Sequence, residues 1–168
     1  MKISQPIFEI CSVPYRFKIK DPNHWFEDTS RQKRFKVHRH TQSIKLRWRH
    51  QDCPLLEQYR DQIDQILETL KDHYHFVDYC AVIANLPAGE TILEHIDSPS
   101  VFKSSHRIHL PIKTNPDVWF SCGPEKINMK EGTFYEISNT DCKHGVKNDS
   151  SEDRYHYIID LYPKPVEN

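Results

Sequence analysis

Two pairs of polar side chains stand close together in the segment ILEHIDSPSVFKSSHRIHLP, residues 92–111. His95 precedes Asp97 by two positions, and Arg107 precedes His109 by two. In a β-strand, residues i and i+2 project from the same face, so each pair would point to one side of its strand. If both strands line the inside of a small barrel, four polar groups meet where apolar side chains would otherwise pack. Burying such groups without partners is costly, so the pattern predicts a ligand or a metal ion between them.

The His-x-Asp pair carries little weight alone, because about one such pair is expected by chance in a chain of this composition. A second one, HQD at residues 50–52, is indeed present. The first is favoured by its downstream context, since a site of two histidines and one carboxylate on iron needs a third ligand from a distant strand. His144 lies well beyond His95 on a separate β-like run, and Arg154 follows on the next one.

An arginine after the third ligand would have a role of its own. If the open positions of such an iron site hold a 2-oxo acid with a distal carboxylate, that carboxylate calls for a guanidinium in bidentate contact. Arg154 lies ten residues after His144, and Arg34 and Arg60 lie equally far after His24 and His50. This spacing alone is therefore weak evidence. The ordered set of His-x-Asp, distant His and then Arg is much rarer. On spacing alone, a surface pair plus a core histidine stays open as the alternative.

With these residues in place, the sequence resembles a known family. The segment HID…SSHRIHLPIKTN…W…MKEGTFYEISNTDCKHGVKNDSSEDRYHYIIDLYP is similar to the aspartyl/asparaginyl β-hydroxylases. They are Fe(II)- and 2-oxoglutarate-dependent oxygenases, and the family also includes bacterial proline hydroxylases. The resemblance covers roughly residues 79–163, and the elements R-x-H-L-P and H-x-V-x-N…R carry it in combination. The earlier TQSIKLRW also looks like a strand of the family.

The resemblance implies a metal site and a reaction. His95, Asp97 and His144 would bind Fe(II), and Arg154 would bind the far carboxylate of 2-oxoglutarate. The implied reaction is hydroxylation of an unactivated C–H bond of an amino acid, peptide or protein side chain. O2 is consumed in that reaction, and 2-oxoglutarate becomes succinate and CO2.

Four further residues are candidates for the same pocket. By the resemblance, Arg107 and His109 would lie near the metal-side carboxylate of 2-oxoglutarate or line the pocket; a polar outward face of their strand is the alternative. His156 and Asp160 share a strand face with Arg154 and could support the ligands from behind.

Length and composition fit a single globular domain over residues 1–168. The net charge is −1 and the mean hydropathy is −0.75, and no apolar run approaches the ~20 residues of a membrane span. Five scattered cysteines without a C-x-x-C motif favour reduced thiols. The start, MKISQPIFEI, lacks the continuous apolar region of a signal peptide. We therefore expect a cytoplasmic protein without a membrane partner.

The elements that position these residues are predicted to be mostly strands. Residues 52–74 carry an apolar stripe at 3.6 periodicity, which predicts a helix packed on a sheet. After residue 75, turn signals separate seven β-like runs. They are 76–86, 91–97, 106–113, 117–122, 132–138, 142–147 and 154–162.

Residues 1–50 are expected to flank this core with strands and loops, and FKV and SIKLRW within them alternate like half-buried strands. The predicted fold is mainly β, a double-stranded β-helix (a cupin-like jelly roll) backed by at least one α-helix. Residues 76–163 would form its core and hold the metal site.

Two other functions stay open. A cupin-like metal enzyme would use the same three ligands without 2-oxoglutarate, and Arg154 would then only form a surface ion pair with Glu152 or Asp153. A barrel without activity could serve as a binding module. The basic stretch 31–50, with eight Lys or Arg and no acid, could bind nucleic acid. Strand alternation would place its charges on one solvated face, so we expect no nucleic-acid partner.

Overall fold

Eleven strands form two antiparallel sheets in the computed structural model, which describes residues 5–98 and 100–165. The strands are β1 (Ile7–Ser12), β2 (Gln42–Trp48), β3 (Gln51–Asp52), β4 (Asp78–Leu86), β5 (Thr91–His95), β6 (His106–Lys113), β7 (Val118–Cys122), β8 (Glu125–Ile127), β9 (Thr133–Ile137), β10 (His144–Asn148) and β11 (Arg154–Tyr162). The larger sheet has the order β1-β9-β6-β11-β4-β2-β3, and the smaller has the order β5-β10-β7-β8. Apolar side chains from both sheets share one buried cluster between them. The predicted mainly β jelly roll is confirmed.

Two α-helices accompany the sheets, α1 (Ser30–Arg34) and α2 (Arg60–Lys71). Short 3-10 helices cover Pro22–Phe26, Lys36–His38, Leu56–Tyr59 and Ser100–Ser104. The buried residues Ile63, Ile66 and Leu70 of α2 pack on the outer face of the larger sheet, as the apolar stripe predicted. No helix in the described ranges is both long and apolar enough to cross a membrane.

The helix predicted over 52–74 is too long at its start. Its first residue, Asp52, pairs in β3, and Leu56–Tyr59 form a 3-10 turn, so the α-helix begins only at Arg60. The apolar stripe could not reveal this, because 3-10 and α-helical turns bury side chains at similar spacing.

The prediction of a strand at FKV is wrong. Lys36–His38 is a 3-10 helix that follows α1, and the adjoining stretch SIKLRW does form a strand, as part of β2. Three alternating residues are too few to identify a strand when no neighbouring strand offers hydrogen bonds. The segment instead packs against the end of the smaller sheet. There the His38 ring lies edge-on to the His95 ring, with 5.4 Å between the ring centroids.

Strict alternation along β6 and β11 separates the core from the site. The side chains that pack toward α2 belong to one apolar cluster and include Ile108, Leu110, Tyr157, Ile159 and Leu161. The intervening positions carry the polar residues Arg107, His109, Arg154, His156 and Asp160, all of which are buried. The register pairs Asp160 with Arg107, and His109 pairs with the apolar Ile158 but contacts His156 diagonally, so polar side chains of the two strands meet on this face.

Candidate metal centre

His95, Asp97 and His144 come together at one end of the smaller sheet. His95 ends β5, His144 begins β10, and the two are directly paired across the antiparallel strands. Asp97 follows β5, where its backbone N–H donates to the carbonyl of Asn139 at 3.0 Å. One ligand atom of each residue lies within 4.8 Å of the others, and in the described ranges no other cluster of three or more such side chains has this arrangement.

Backbone contacts hold the two imidazole rings. Nδ1 of His95 donates to the carbonyl of Leu93 at 2.8 Å, and Nδ1 of His144 donates to the carbonyl of Cys142 at 3.4 Å. The Nε2 atoms are left facing Asp97, at 3.5 Å from Oδ1 for His95 and 3.6 Å from Oδ2 for His144. Fixing one ring nitrogen in this way presents the other as a ligand.

The Asp97 carboxylate is held from behind by two donors. Nη1 of Arg107 and Nδ2 of Asn139 both donate to Oδ2, the latter at 2.8 Å. Arg107 is itself fixed, because its Nε and Nη2 donate to the two oxygens of Asp160 at 2.8 Å each. Sequence reasoning placed Asp160 on the right face but missed Asn139, which follows β9 without any motif.

The charges of the cluster suit a divalent cation. Burial alone would raise the pKa of Asp97, but Arg107 and His95 together hold it well below the ordinary range. Burial lowers the pKa of His144 to about 4, so this imidazole is neutral at pH 7. For His95, burial is outweighed by the contact with Asp97, which raises its pKa. A neutral nitrogen, an ionised carboxylate and a second imidazole form a donor set typical of iron sites with open positions.

A pocket opens beside the cluster, and Arg154 lies on its wall. Arg154 is only 2% exposed, and its Nε and Nη1 have no partner among the described residues. Burial, with repulsion from Arg31, lowers its pKa to about 9. The alternative of a surface ion pair does not fit this position, since the Asp153 carboxylate instead accepts from Asn85.

His109 lines the same pocket, with His156 behind it. Their Nδ1 atoms lie 3.1 Å apart, so one ring donates to the other. Burial lowers both pKa values well below the ordinary value, and nearby Arg154 adds to this for each ring. His109 also meets the ring of Phe120 at 5.3 Å. Both rings are therefore neutral, and Nε2 of His156 has no partner in the described part of the chain.

Three residues of the basic stretch 31–50 reach the pocket, one of them Thr41, and sequence reasoning missed all three. Arg31 and His38 line it, and Nη2 of Arg31 donates to Nε2 of His38 at 3.3 Å. Lys45 lies elsewhere and pairs with Asp28 at 2.9 Å. No sequence signal separates these cations, because their positions depend on how the chain folds back over the sheet.

The second His-x-Asp pair forms no comparable site. Nδ1 of His50 contacts Asp78, whereas Asp52 pairs with Arg47 and Arg60 at the edge of the larger sheet. The two side chains of the motif therefore have different direct partners, and Arg47 bridges Asp52 to Asp78 in one network. The structure thus agrees with the preference for His95 and Asp97 that the downstream context gave in the sequence.

Fold and site together define a jelly-roll protein with a His–Asp–His cluster at the mouth of its barrel. The chain belongs to the aspartyl/asparaginyl β-hydroxylase family, whose sequence model matches residues 18–164. The resemblance found in the sequence is thereby confirmed and extends further toward the start of the chain. No curated protein sequence matches this chain.

Two solved structures have a similar fold. An oxidoreductase of the 2OG-Fe(II) oxygenase family from Burkholderia pseudomallei superposes with a TM-score of 0.58 at 12% identity, over 76% of this chain and 68% of that one. A prolyl-4-hydroxylase from Pseudomonas putida superposes with a TM-score of 0.51 at 13% identity, over 74% of this chain and 73% of that one. At such identities the likeness shows the fold alone.

Proposed function

We propose that this protein is an Fe(II)- and 2-oxoglutarate-dependent hydroxylase. The observation that carries the proposal is Arg154, a buried guanidinium with unpartnered nitrogens on the wall of the pocket that holds the His–Asp–His cluster. A buried cation without an acid is costly, and a metal site alone would not need one. A dicarboxylate that meets the metal at one end and Arg154 at the other would satisfy both.

His95, Asp97 and His144 would hold the iron. Their donor atoms already face one another, and two imidazoles with one carboxylate leave positions open for a co-substrate. The contact with Asp97 raises the pKa of His95, and metal binding, which requires a neutral imidazole, would compete with protonation of this ring. Bound Fe(II) would supply the activation of O2, with 2-oxoglutarate converted to succinate and CO2 as a C–H bond is hydroxylated.

The other side chains of the pocket would orient and protect the reactants. Arg154 would bind the far carboxylate, and Arg107 would keep Asp97 ionised and in position. The predicted contact of Arg107 with the metal-side carboxylate stays a prediction; its guanidinium is held by Asp160 and Asp97. His109, neutral and on the pocket wall, is better placed for that contact. The apolar residue Phe120 beside it would help to exclude water.

The substrate within this proposal is an amino acid, a peptide or a protein side chain. The pocket is open enough to the surface for His95 and Asp97 to stay partly exposed, so a group on a larger molecule could enter. A cytoplasmic location, with Fe(II) and 2-oxoglutarate at hand, is part of the same proposal.

An anaerobic titration tests this function. Fe(II) and then 2-oxoglutarate are added to metal-free protein, and the visible charge-transfer band between iron and the keto acid is recorded. We expect the band in the parent, its loss in Asp97→Ala and His144→Ala, and its retention in Asp52→Ala, which alters the second His-x-Asp pair. Metal binding without a band would contradict the use of 2-oxoglutarate and favour a cupin-like enzyme. Absence of metal binding would contradict both and favour a binding module.

A further inference from the structure

Arg31 is a second cation on the wall of the pocket, and the proposed reaction leaves it without a role. It lies in α1, outside the barrel strands, and comes to the pocket because the chain folds across the mouth of the smaller sheet. Its side chain is half-buried, in contrast to Arg154 in the interior. The two arginines therefore reach the pocket from different parts of the fold, Arg154 from a strand of the larger sheet and Arg31 from the short helix α1.

Among the described residues Arg31 has no carboxylate partner. Its hydrogen-bond partner is a neutral ring nitrogen, Nε2 of His38. The acids whose charges act on it are Asp97 and Asp160, and both are already engaged by Arg107. A partly desolvated guanidinium without an acid is a site for an anion.

His38 provides a second and independent observation. It is 8% exposed and lines the pocket, and its Nδ1 has no partner among the described residues. Because Nε2 accepts from Arg31, the proton of the neutral ring is on Nδ1, which is therefore a buried donor without an acceptor.

The formal charges around the pocket leave one positive charge without a counter-ion, even with the metal and 2-oxoglutarate bound. Three guanidinium groups line the pocket, those of Arg31, Arg107 and Arg154, together with one carboxylate, that of Asp97. A second carboxylate, that of Asp160, pairs with Arg107 from behind the wall. A divalent metal adds two positive charges, and doubly negative 2-oxoglutarate removes two. One positive charge is left over, and Arg31 is the cation without a counter-ion.

We propose that Arg31 binds a carboxylate of the primary substrate and so makes this enzyme selective for anionic substrates. The inference rests on the proposed function, because it assigns Arg154 to 2-oxoglutarate and Arg31 to the molecule that enters after it. The fork of the guanidinium suits a carboxylate, and the Nδ1–H of His38 is a further donor beside it. The carboxylate can belong to a free amino acid or to an acidic side chain of a peptide.

The test uses trifluoroacetate as the smallest carboxylate probe and trifluoroacetamide as its neutral counterpart. The protein is loaded with Mn(II) and saturated with 2-oxoglutarate, and the paramagnetic relaxation of the 19F signal of each probe is measured. We expect strong relaxation of trifluoroacetate and little of trifluoroacetamide. Arg31→Gln should raise the apparent dissociation constant of trifluoroacetate by about tenfold or more, the size of a lost charge-assisted contact.

Arg34→Gln is the matched control, because Arg34 lies in the same short helix but is exposed. It should relax both probes as the parent does. Equal relaxation of trifluoroacetate in Arg31→Gln and the parent would overturn the inference, as would equal relaxation of the two probes. Water-proton relaxation reports Mn(II) binding separately, so a misfolded or metal-free variant is recognised.

Failure of the proposed function is distinguishable from failure of this inference. If the parent binds no Mn(II), the proposed function fails. The 19F line width of trifluoroacetate with metal-free protein then shows whether Arg31 binds the anion. Broadening that depends on Arg31 keeps the anion site, and broadening independent of Arg31 overturns it. Competition identifies the source of the carboxylate. If the substrate is a free amino acid, free amino acids displace the probe; if it is an acidic side chain of a peptide, an N-acetylated, C-amidated aspartyl peptide displaces it.

Discussion

Arg107 and Asp160 form a two-point ion pair across adjacent strands, with Nε and Nη2 each 2.8 Å from one carboxylate oxygen. The third nitrogen, Nη1, donates to Asp97. One guanidinium thus joins a buried acid of the larger sheet to the acid of the candidate metal centre. Burial opposes the charge of Arg107, but Asp160 and Asp97 outweigh it and raise its pKa.

Asp160→Asn should destabilise the fold by about 3 kcal/mol, because it leaves a buried cation with half of its partners removed. Urea unfolding of metal-free protein measures the change. Asp61→Asn, which removes the exposed partner of Lys20, should cost under ~1 kcal/mol. Similar losses in the two variants would show that the buried pair contributes no more than a surface pair.

Arg154→Ala should raise the 2-oxoglutarate concentration needed for half-maximal succinate formation by roughly ten- to a hundredfold, since a charge-assisted contact is lost. Mn(II) affinity should stay near that of the parent, because Arg154 does not contact the three candidate ligands in the structure. Arg49→Ala, at an exposed turn, is the control. An unchanged requirement for 2-oxoglutarate would remove Arg154 from the co-substrate site.

The metal-free protein should lose stability as the pH falls below about 6.5. His38, His109 and His156 have folded-state pKa values below the ordinary value, to about 3 for His38, so the unfolded chain binds protons that the folded one does not. The contribution of each histidine to the free energy of unfolding is complete above its pKa in the unfolded chain. As the pH falls from there toward the pKa in the folded protein, this contribution is lost at about 1.4 kcal/mol per pH unit for each group.

His156→Leu should therefore flatten this dependence between about pH 6.5 and 5 by roughly one group's share. His73→Leu, at an exposed position, should leave the slope unchanged. Chemical unfolding at a series of pH values measures it. The explanation fails if the His156 variant keeps the parent's slope.

Gly145→Ala should weaken metal binding while the protein still folds. A Cβ there would lie 2.8 Å from the carbonyl oxygen of Ile92 and 3.1 Å from the backbone nitrogen of Glu94, so β5 and β10 must separate. Those strands carry His95 and His144. We expect Mn(II) affinity to fall about tenfold, as when a support of a metal ligand is lost.

Gly89→Ala separates this effect from general destabilisation. Its φ of +75° makes alanine strained, but a Cβ there meets nothing within 4 Å and lies outside the strands. It should cost about 1–2 kcal/mol of stability and leave Mn(II) affinity unchanged. Equal Mn(II) affinities in both alanine variants would contradict the expected spreading of the ligand strands.

The barrel strands could be predicted from the sequence because the alternation of apolar and polar residues along a strand is a local pattern. The runs 106–113 and 154–162 coincide with β6 and β11, and alternation correctly placed Arg107 beside His109 on one face. The direct pairing of His95 with His144 depends on long-range register, which local pattern does not contain.

The parts of the site that could not be predicted lie outside regular strands. Asn139 reaches Asp97 from the turn after β9, and Arg31 reaches the pocket from a short helix in a basic run. Alternation suggested that the basic run was a solvated strand face, whereas Arg31 is drawn inward by tertiary packing that no local period encodes. Short β8 was also missed, since three residues after the Gly123 turn give too little pattern.

The alternation along β11 has a consequence for how such a protein can change. Tyr155, Tyr157, Ile159 and Leu161 contact the apolar layer under α2. On the opposite face of the strand, Ile158 lines the pocket, and His156 and Asp160 contact the pocket residues His109 and Arg107 from behind. Substitutions at one set alter how firmly the scaffold holds together, and substitutions at the other alter the chemistry. Heat resistance and reactivity can therefore be selected separately along a single strand, whereas an insertion of one residue would exchange the two sets and abolish both.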